Sequence, residues 1–368
     1  MRLADYTRGR DNNFNLIRIA AALAVLVSHS FPLALGSKAV EPLGNLVGMS
    51  LGGVAVDIFF FTSGFLVTAS LLTRQNVKQF AWARILRIYP ALIVVVLLSV
   101  FGVGLFFTTQ PATAYLADAK IYKYLLKSST LIAGVNHLLP GVFENNPFKD
   151  AVNGSLWTMP YEVKMYIILA CVWSIARLIP ANKVKVFKIV LVLSAAVSGI
   201  LLLLVHFKVV NTGGYFLKFF YMFFSGASFY ILRDKIALSH ALFFLFFLLL
   251  LVGALFNKHL FFVSYALVLG YCILYLAYIP SGTIRKYNEL GDFSYGIYVY
   301  AFPVQQSIAA LIPGVSAPAM MLYSSTVTLT LAVLSWLFVE KKALHLKEGW
   351  LNDRTSFAFP LCMPRSKN

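Results

Sequence analysis

The chain alternates long apolar runs with short polar connections. Ten such runs can be drawn, at roughly 14–35, 49–72, 90–109, 155–179, 188–206, 214–232, 237–256, 260–279, 292–312 and 318–340. Each is long enough for a helix, rising about 1.5 Å per residue, to cross a hydrocarbon core about 30 Å thick. The runs are continuous rather than alternating apolar with polar, which predicts helices and not strands. In lipid, an uninterrupted apolar span has no other way to satisfy its backbone. The pattern predicts an all-α polytopic membrane protein with about ten transmembrane helices. Residues 1–341 read as one transmembrane domain and 342–368 as a polar cytoplasmic tail. No internal repeat is visible.

Composition agrees: 60% of residues are hydrophobic and only 12% charged, which excludes an ordinary soluble enzyme. The net charge of +17 raises nucleic acid as a partner, but the basic residues are spread over short connections. That spread suits membrane orientation and anionic lipid heads, so membrane lipids and no nucleic acid are expected. With the N-terminus inside, 22 Lys and Arg fall on inner segments and 8 on outer ones, with Lys164 inside a span. All arginines are on the inner side. This split predicts that both termini are cytoplasmic. Cys171, Cys272 and Cys362 are isolated, which predicts neither a disulfide framework nor a metal site. The first run is too long, and carries Arg18, for a cleavable signal.

Ionisable groups inside spans are costly and mark candidate function. Arg18 and His29 are eleven residues apart in the first run, which places them on one helix face about 16 Å apart. A snorkelling Arg and a His bonded to a neighbouring helix is the plainer alternative. In the second run Asp57 is the only ionisable residue, and Ser50, Gly53, Gly64 and Thr68 share its face, so that face meets protein. Asp57 either serves the chemistry or pairs with a basic group. Arg84 and Arg87, at i and i+3 before the third run, suit phosphate oxygens, although topology alone also places basic residues there. In the fourth run Glu162 shares a face with Ser155, Thr158 and Tyr166, Pro160 interrupts the first turns, and Lys164 points elsewhere. Counted from the outer surface, His29, Asp57 and Glu162 fall near one plane, which predicts a polar chamber in the outer half of the membrane. In the long outer connection 110–154, Tyr115, Ala119, Tyr122 and Leu126 share a helical face. That suits a helix on the outer membrane surface or one packed on the protein.

In order, these pieces resemble the acyltransferase 3 family of integral membrane O-acyltransferases. The first run has the family's Arg-x10-His, and VDIFFFTSGFLV (Val56–Val67) is similar to its Asp-x-Phe-Phe-x-x-Ser-Gly signature. RILR (Arg84–Arg87) resembles its Arg-x-x-Arg motif, and GSLWTMPYE (Gly154–Glu162) its Gly-x-x-Trp-x-x-x-x-Glu stretch. GDFSYGIYVYAFPVQ (Gly291–Gln305) and LFVEKKA (Leu337–Ala343) resemble the ninth-span and closing motifs. Many members carry a His two residues before the ninth-span Pro; here Ala301 stands there, so no role for that His carries over. Thr158 and Met159 replace the Ser and Leu that commonly follow the Trp, and no fused hydrolase-like domain follows residue 341.

The resemblance implies acyl transfer, usually of acetyl, from cytoplasmic acyl-CoA to a carbohydrate acceptor on the outer side of a bacterial inner membrane. Acetyl-CoA is then the donor and no metal is needed. Arg18, Arg84 and Arg87 would meet the CoA phosphates, and Ser155, Trp157 and Tyr295 are expected to contact substrate. His29 is the candidate general base, since an imidazole titrates near neutral pH. Asp57 or Glu162 would orient it, or Glu162 would hold acceptor hydroxyls. A covalent acyl-His is the other route. Lipopolysaccharide, another surface polysaccharide and a lipid-linked sugar all fit as acceptor. A proton-coupled transporter or flippase of a glycan precursor is the alternative from a different class.

Overall fold

The computed structural model describes residues 1–9, 11–36 and 41–349. Arg10, Lys38, Cys362 and the tail from residue 350 onward, with the expectations that fall on them, lie outside the described residues. Helices dominate, and among the described residues extended pairing is limited to isolated bridges. The long helices are α1 (Phe14–Leu35), α2 (Leu51–Arg74), α3 (Val77–Leu97), α4 (Ala119–Thr130), α5 (Met159–Ala176) and α6 (Lys183–His206). Then come α7 (Gly214–Ile231), α8 (His240–Phe256), α9 (Lys258–Tyr278), α10 (Ser294–Leu311) and α11 (Ala317–Ser335). α3 continues through π-helical and α-helical turns to Phe107, and α11 continues through a π-helical turn (Trp336–Glu340) into α12 (Lys341–Gly349). The expected tail therefore begins as helix.

Among the described residues, seven helical stretches are long and apolar enough to cross a membrane. α7, α8 and α10 coincide with the remaining three apolar runs; α8 is apolar but only 17 residues long. Lipid-compatible side chains such as Leu193, Ile200, Phe244 and Leu255 are exposed, whereas Asp57, Thr62 and Gln305 are buried. That distribution is the reverse of a soluble protein's and fits an apolar solvent.

α2 is the hub, packed between α1 and α7. The α2–α7 contact is a backbone approach: a Cβ on Gly64 would lie 1.9 Å from the Phe223 carbonyl oxygen, and one on Gly226 2.0 Å from that of Phe61. Small residues allow this closeness, as in other membrane helix pairs.

Connections assigned to one side by Lys and Arg touch one another. The N-terminal residues pair with the α7–α8 connection through Leu3 N to Ile236 O (2.8 Å), and Asn13 N reaches Ala277 O (2.8 Å) at the end of α9. At the opposite end, His206 and His259, at the end of α6 and the start of α9, meet at 2.9 Å.

Two expectations are corrected. The third span begins near Val77, not residue 90, so Arg84 and Arg87 lie within the helix and Pro90 inside it. The helix tolerates these charges because acidic and aromatic side chains from other helices receive them, as described below. The outer connection also turns differently. It breaks at Asp118, whose carboxylate accepts from Lys120 N (2.8 Å) and starts α4 afresh. Tyr115 stays buried, but α4 packs inward with Ile121, Tyr124 and Ser128, leaving Ala119, Tyr122 and Leu126 exposed. Tyr115 OH donates to Val100 O (3.0 Å) and Tyr89 OH to Thr130 O (3.1 Å). This first part of the connection thus leans back along α3.

Candidate active site

At the end of the bundle where the arginines gather, α1, α3, the α10 entry and the π-helical turn converge. Asp292 Oδ2 is shared by Arg18 Nε (3.4 Å) and, in closer contact, Arg87 Nη2. Arg87 Nη1 also reaches Glu340 Oε2 (3.4 Å). Glu340 Oε1 accepts from Ser335 Oγ (3.1 Å), which accepts from Tyr300 OH (3.3 Å). Ser294 N (3.2 Å) and its hydroxyl donate to Asp292 Oδ1. Aromatic faces complete the setting: Arg18 lies over Phe59 (5.2 Å) and Arg87 over Tyr295 (5.7 Å). Arg84 differs. Its guanidinium lies over Tyr166 (5.8 Å), its Nε is buried without a hydrogen bond, and no carboxylate pairs with it among the described residues. Arg84 therefore keeps the least neutralised charge of the three.

Sequence reasoning missed Asp292 and Glu340 as partners, although both lie in segments it singled out. The signal was there: an acid at the inner end of each of two runs, Asp292 and Glu340, the latter followed by Lys341 and Lys342. A count of Lys and Arg alone passes over it.

Above the arginines lies a narrow cavity of about 40 Å³. Arg18, Ser63, Thr158, Glu162, Tyr295 and Tyr298 supply its polar lining, and Phe59 and Phe60 an apolar wall. Glu162 accepts from Tyr166 OH, the i+4 neighbour that helical spacing placed on its face, and Tyr166 OH lies 2.8 Å from Ser63 Oγ. Glu162 shares the cavity lining with Arg18 and Tyr295. It belongs with the arginine end and not, as depth counting predicted, with His29. The reason is local: α5 is preceded by a buried 3-10 turn, Gly154–Thr158, under the folded outer connection, so counting from a surface at residue 155 misjudges its depth.

His29 lies further along α1, partly covered, with its ring edge-on to Phe302 (5.4 Å). Its Nδ1 is buried and makes no hydrogen bond. The cavity stops short of it. Tyr298 OH donates to Ser155 O (2.8 Å) and meets Thr158 Oγ1 (2.5 Å), and a Cβ on Gly154 would strike the Phe302 ring at 2.5 Å. Tyr298 lines the cavity, and Phe302, one helical turn further along α10, meets the imidazole. Ser155 is fully buried with Oγ unpartnered, and Tyr295 OH donates to Ile88 O (2.8 Å). Trp157 joins Tyr161, Tyr215 and Phe219 in an aromatic group.

Asp57 turns elsewhere. Its Oδ2 meets Lys218 Nζ of α7 (2.9 Å) and accepts from Tyr265 OH of α9 (2.8 Å), while Oδ1 is buried and unpartnered. No hydrogen bond or ion pair joins His29, Asp57 and Glu162 to one another. The described residues hold no group of three or more His, Cys, Asp or Glu that suits a metal, and Cys171 and Cys272 are free thiols.

An all-helical membrane protein with an ion-paired arginine cluster at one end and an internal polar cavity is a membrane-embedded protein built around chemistry. Residues 11–339 match the model of the family described as "Acyltransferase domain", and the chain belongs to that family. The O-acetyl transferase of Shigella phage Sf6 is 29% identical over 349 residues, covering 91% of this chain and 96% of that protein. Nodulation protein 10 of Rhizobium leguminosarum bv. viciae is 27% identical over 380 residues, covering 96% and 99%. No solved structure matches the chain.

Proposed function

We propose that this protein moves an acetyl group from cytoplasmic acetyl-CoA to a hydroxyl of a surface or exported carbohydrate on the outer side of a bacterial inner membrane. The observation that carries the reading is α1 itself. It brings Arg18 into the cavity at the arginine end and His29, with an uncommitted Nδ1, towards the other. The name of the Shigella phage relative supports acetyl as the group, and the Lys and Arg distribution supports a cytoplasmic arginine end.

In this reading His29 accepts the proton of the acceptor hydroxyl as its oxygen attacks the thioester carbonyl. The C–S bond breaks, and the CoA thiolate leaves and is protonated. Glu162, lining the cavity beside Arg18, holds polar groups of the substrates, with Ser155, Trp157 and Tyr295 around it. Asp57 acts at a distance by fixing α2 against α7 and α9. The acyl arm passes between the Tyr298–Thr158 contact and Phe302, so those side chains move during turnover.

Of the guanidiniums, Arg84 is the main phosphate contact, because Arg18 and Arg87 already share carboxylates. Arg84→Ala should weaken acetyl-CoA binding by about 10- to 100-fold, the scale of a lost charged hydrogen bond. An unchanged affinity, measured by binding to the purified protein, would contradict this role. The test of the function is acceptor-dependent release of free CoA by protein in detergent. Glycan movement across vesicles without acetyl-CoA would instead indicate a transporter.

A further inference from the structure

Two consecutive glutamines on α10 tie the imidazole and the outer connection to one frame. Gln305 Nε2 donates to Leu26 O and Ser30 Oγ, both at 2.8 Å, and so holds the turn of α1 that carries His29. Gln306 is fully buried and faces the connection. Its Nε2 donates to Phe148 O (2.8 Å) and Ala151 O (2.6 Å), and its own O and Oε1 accept from Asn146 Nδ2 (2.9 and 2.8 Å). Three residues of one loop are thus fixed by a single side chain next to the His29 turn.

The loop is a closed unit. Asp150 N and Asn146 N both donate to Phe143 O (3.3 and 3.2 Å). Phe143 (φ 60°) and Asp150 (φ 66°) bracket it in the left-handed region, a conformation that non-glycine residues hold only when their surroundings impose it. From the loop the Phe148 ring meets Phe302 edge-on (5.9 Å), and Phe302 meets His29 in the same way (5.4 Å). The Pro147 carbonyl also approaches Gly36 at the end of α1. Around the half-buried Phe148, the side chains of Glu144, Asn145, Lys149 and Asp150 are exposed.

We infer that the loop Glu144–Asp150 is the acceptor-recognition element of this site, with Phe148 as its specificity-determining contact and Gln306 as the residue that positions it. This rests on the transferase reading above. An aromatic ring ringed by exposed carboxylate, amide and ammonium groups suits a polyhydroxylated acceptor: the ring covers an apolar sugar face, and the polar groups donate to and accept from its hydroxyls. The donor enters from the arginine end, so the loop bears on the acceptor alone.

The experiment uses the full chain in detergent, with acetyl-CoA as donor and de-O-acylated bacterial surface polysaccharide as acceptor. Phe148→Ala should raise the acceptor KM by about tenfold or more, with the acetyl-CoA KM unchanged. Phe148→Tyr should restore the acceptor KM. Gln306→Glu, which keeps the shape but loses the two donors to Phe148 and Ala151, should move the acceptor KM in the same direction as Phe148→Ala. A Phe148→Ala protein with wild-type acceptor KM, or one in which both KM values shift together, would overturn the assignment. No acceptor-dependent CoA release from the wild-type protein would instead sink the transferase reading, and this inference with it.

Discussion

His29→Ala should lower acyl transfer by about 10²- to 10⁴-fold, the range a general base contributes, while the protein still inserts, folds and binds acetyl-CoA. The expectation follows from what surrounds the ring. Its Nδ1 makes no hydrogen bond, its ring meets Phe302 edge-on, and the turn that carries it is held by Gln305. Removing the ring therefore costs little structure and most of the chemistry. Acceptor-dependent CoA release measures the effect. Activity within a few-fold of wild type would take His29 out of the reaction. Labelled acyl-protein that accumulates without acceptor, and vanishes in His29→Ala, would show that the imidazole acts as nucleophile rather than as base.

The largest stability effect is expected on α2. Lys218→Met should destabilise the protein by about 3–5 kcal/mol, because it leaves the fully buried Asp57 carboxylate without its counter-charge. Asp57 and Lys218 should then be strongly coupled. The double variant Asp57→Asn with Lys218→Met removes both charges and keeps the acceptor for Tyr265 OH, so it should recover most of the loss. Thermal unfolding in one detergent would read all three proteins. The double variant also separates two roles for Asp57. A stable double variant that still transfers acyl groups makes the carboxylate a brace between helices; a stable but inactive one returns it to the chemistry.

Much of the architecture could be read from hydrophobic pattern, because lipid demands continuous apolar helices and leaves few alternatives. α1 begins and ends where the run did. The third helix was misjudged because Arg84, Arg87 and Pro90 look like the end of a span. The partners that keep those charges inside, Asp292 and Glu340, are brought to them only by folding. Local spacing succeeded where both partners share a helix, as with Glu162 and Tyr166. It failed where partners come from different helices, as with Asp57, Lys218 and Tyr265, since nothing in the periodicity of α2 says which helix it meets. The motif resemblance found the right segments. It could not say that Arg18 and Arg87 share an acid while Arg84 is left with an aromatic face.

The backward lean of α4 along α3 has a practical result for anyone mapping this protein in living cells. Tyr122, Leu126 and Ile132 turn away from the bundle, Ile132 with 84% of its surface uncovered, beside the exposed Lys120 and Lys123, which gives α4 the mixed apolar and basic outer side that suits a lipid boundary. A cleavage sequence or antibody tag inserted between Tyr122 and Ile132 should stay silent to reagents added outside intact cells. Within one connection that a flat diagram would draw as hanging free, this fold sets apart an apolar stretch around Tyr122–Ile132 from the polar loop Glu144–Asp150.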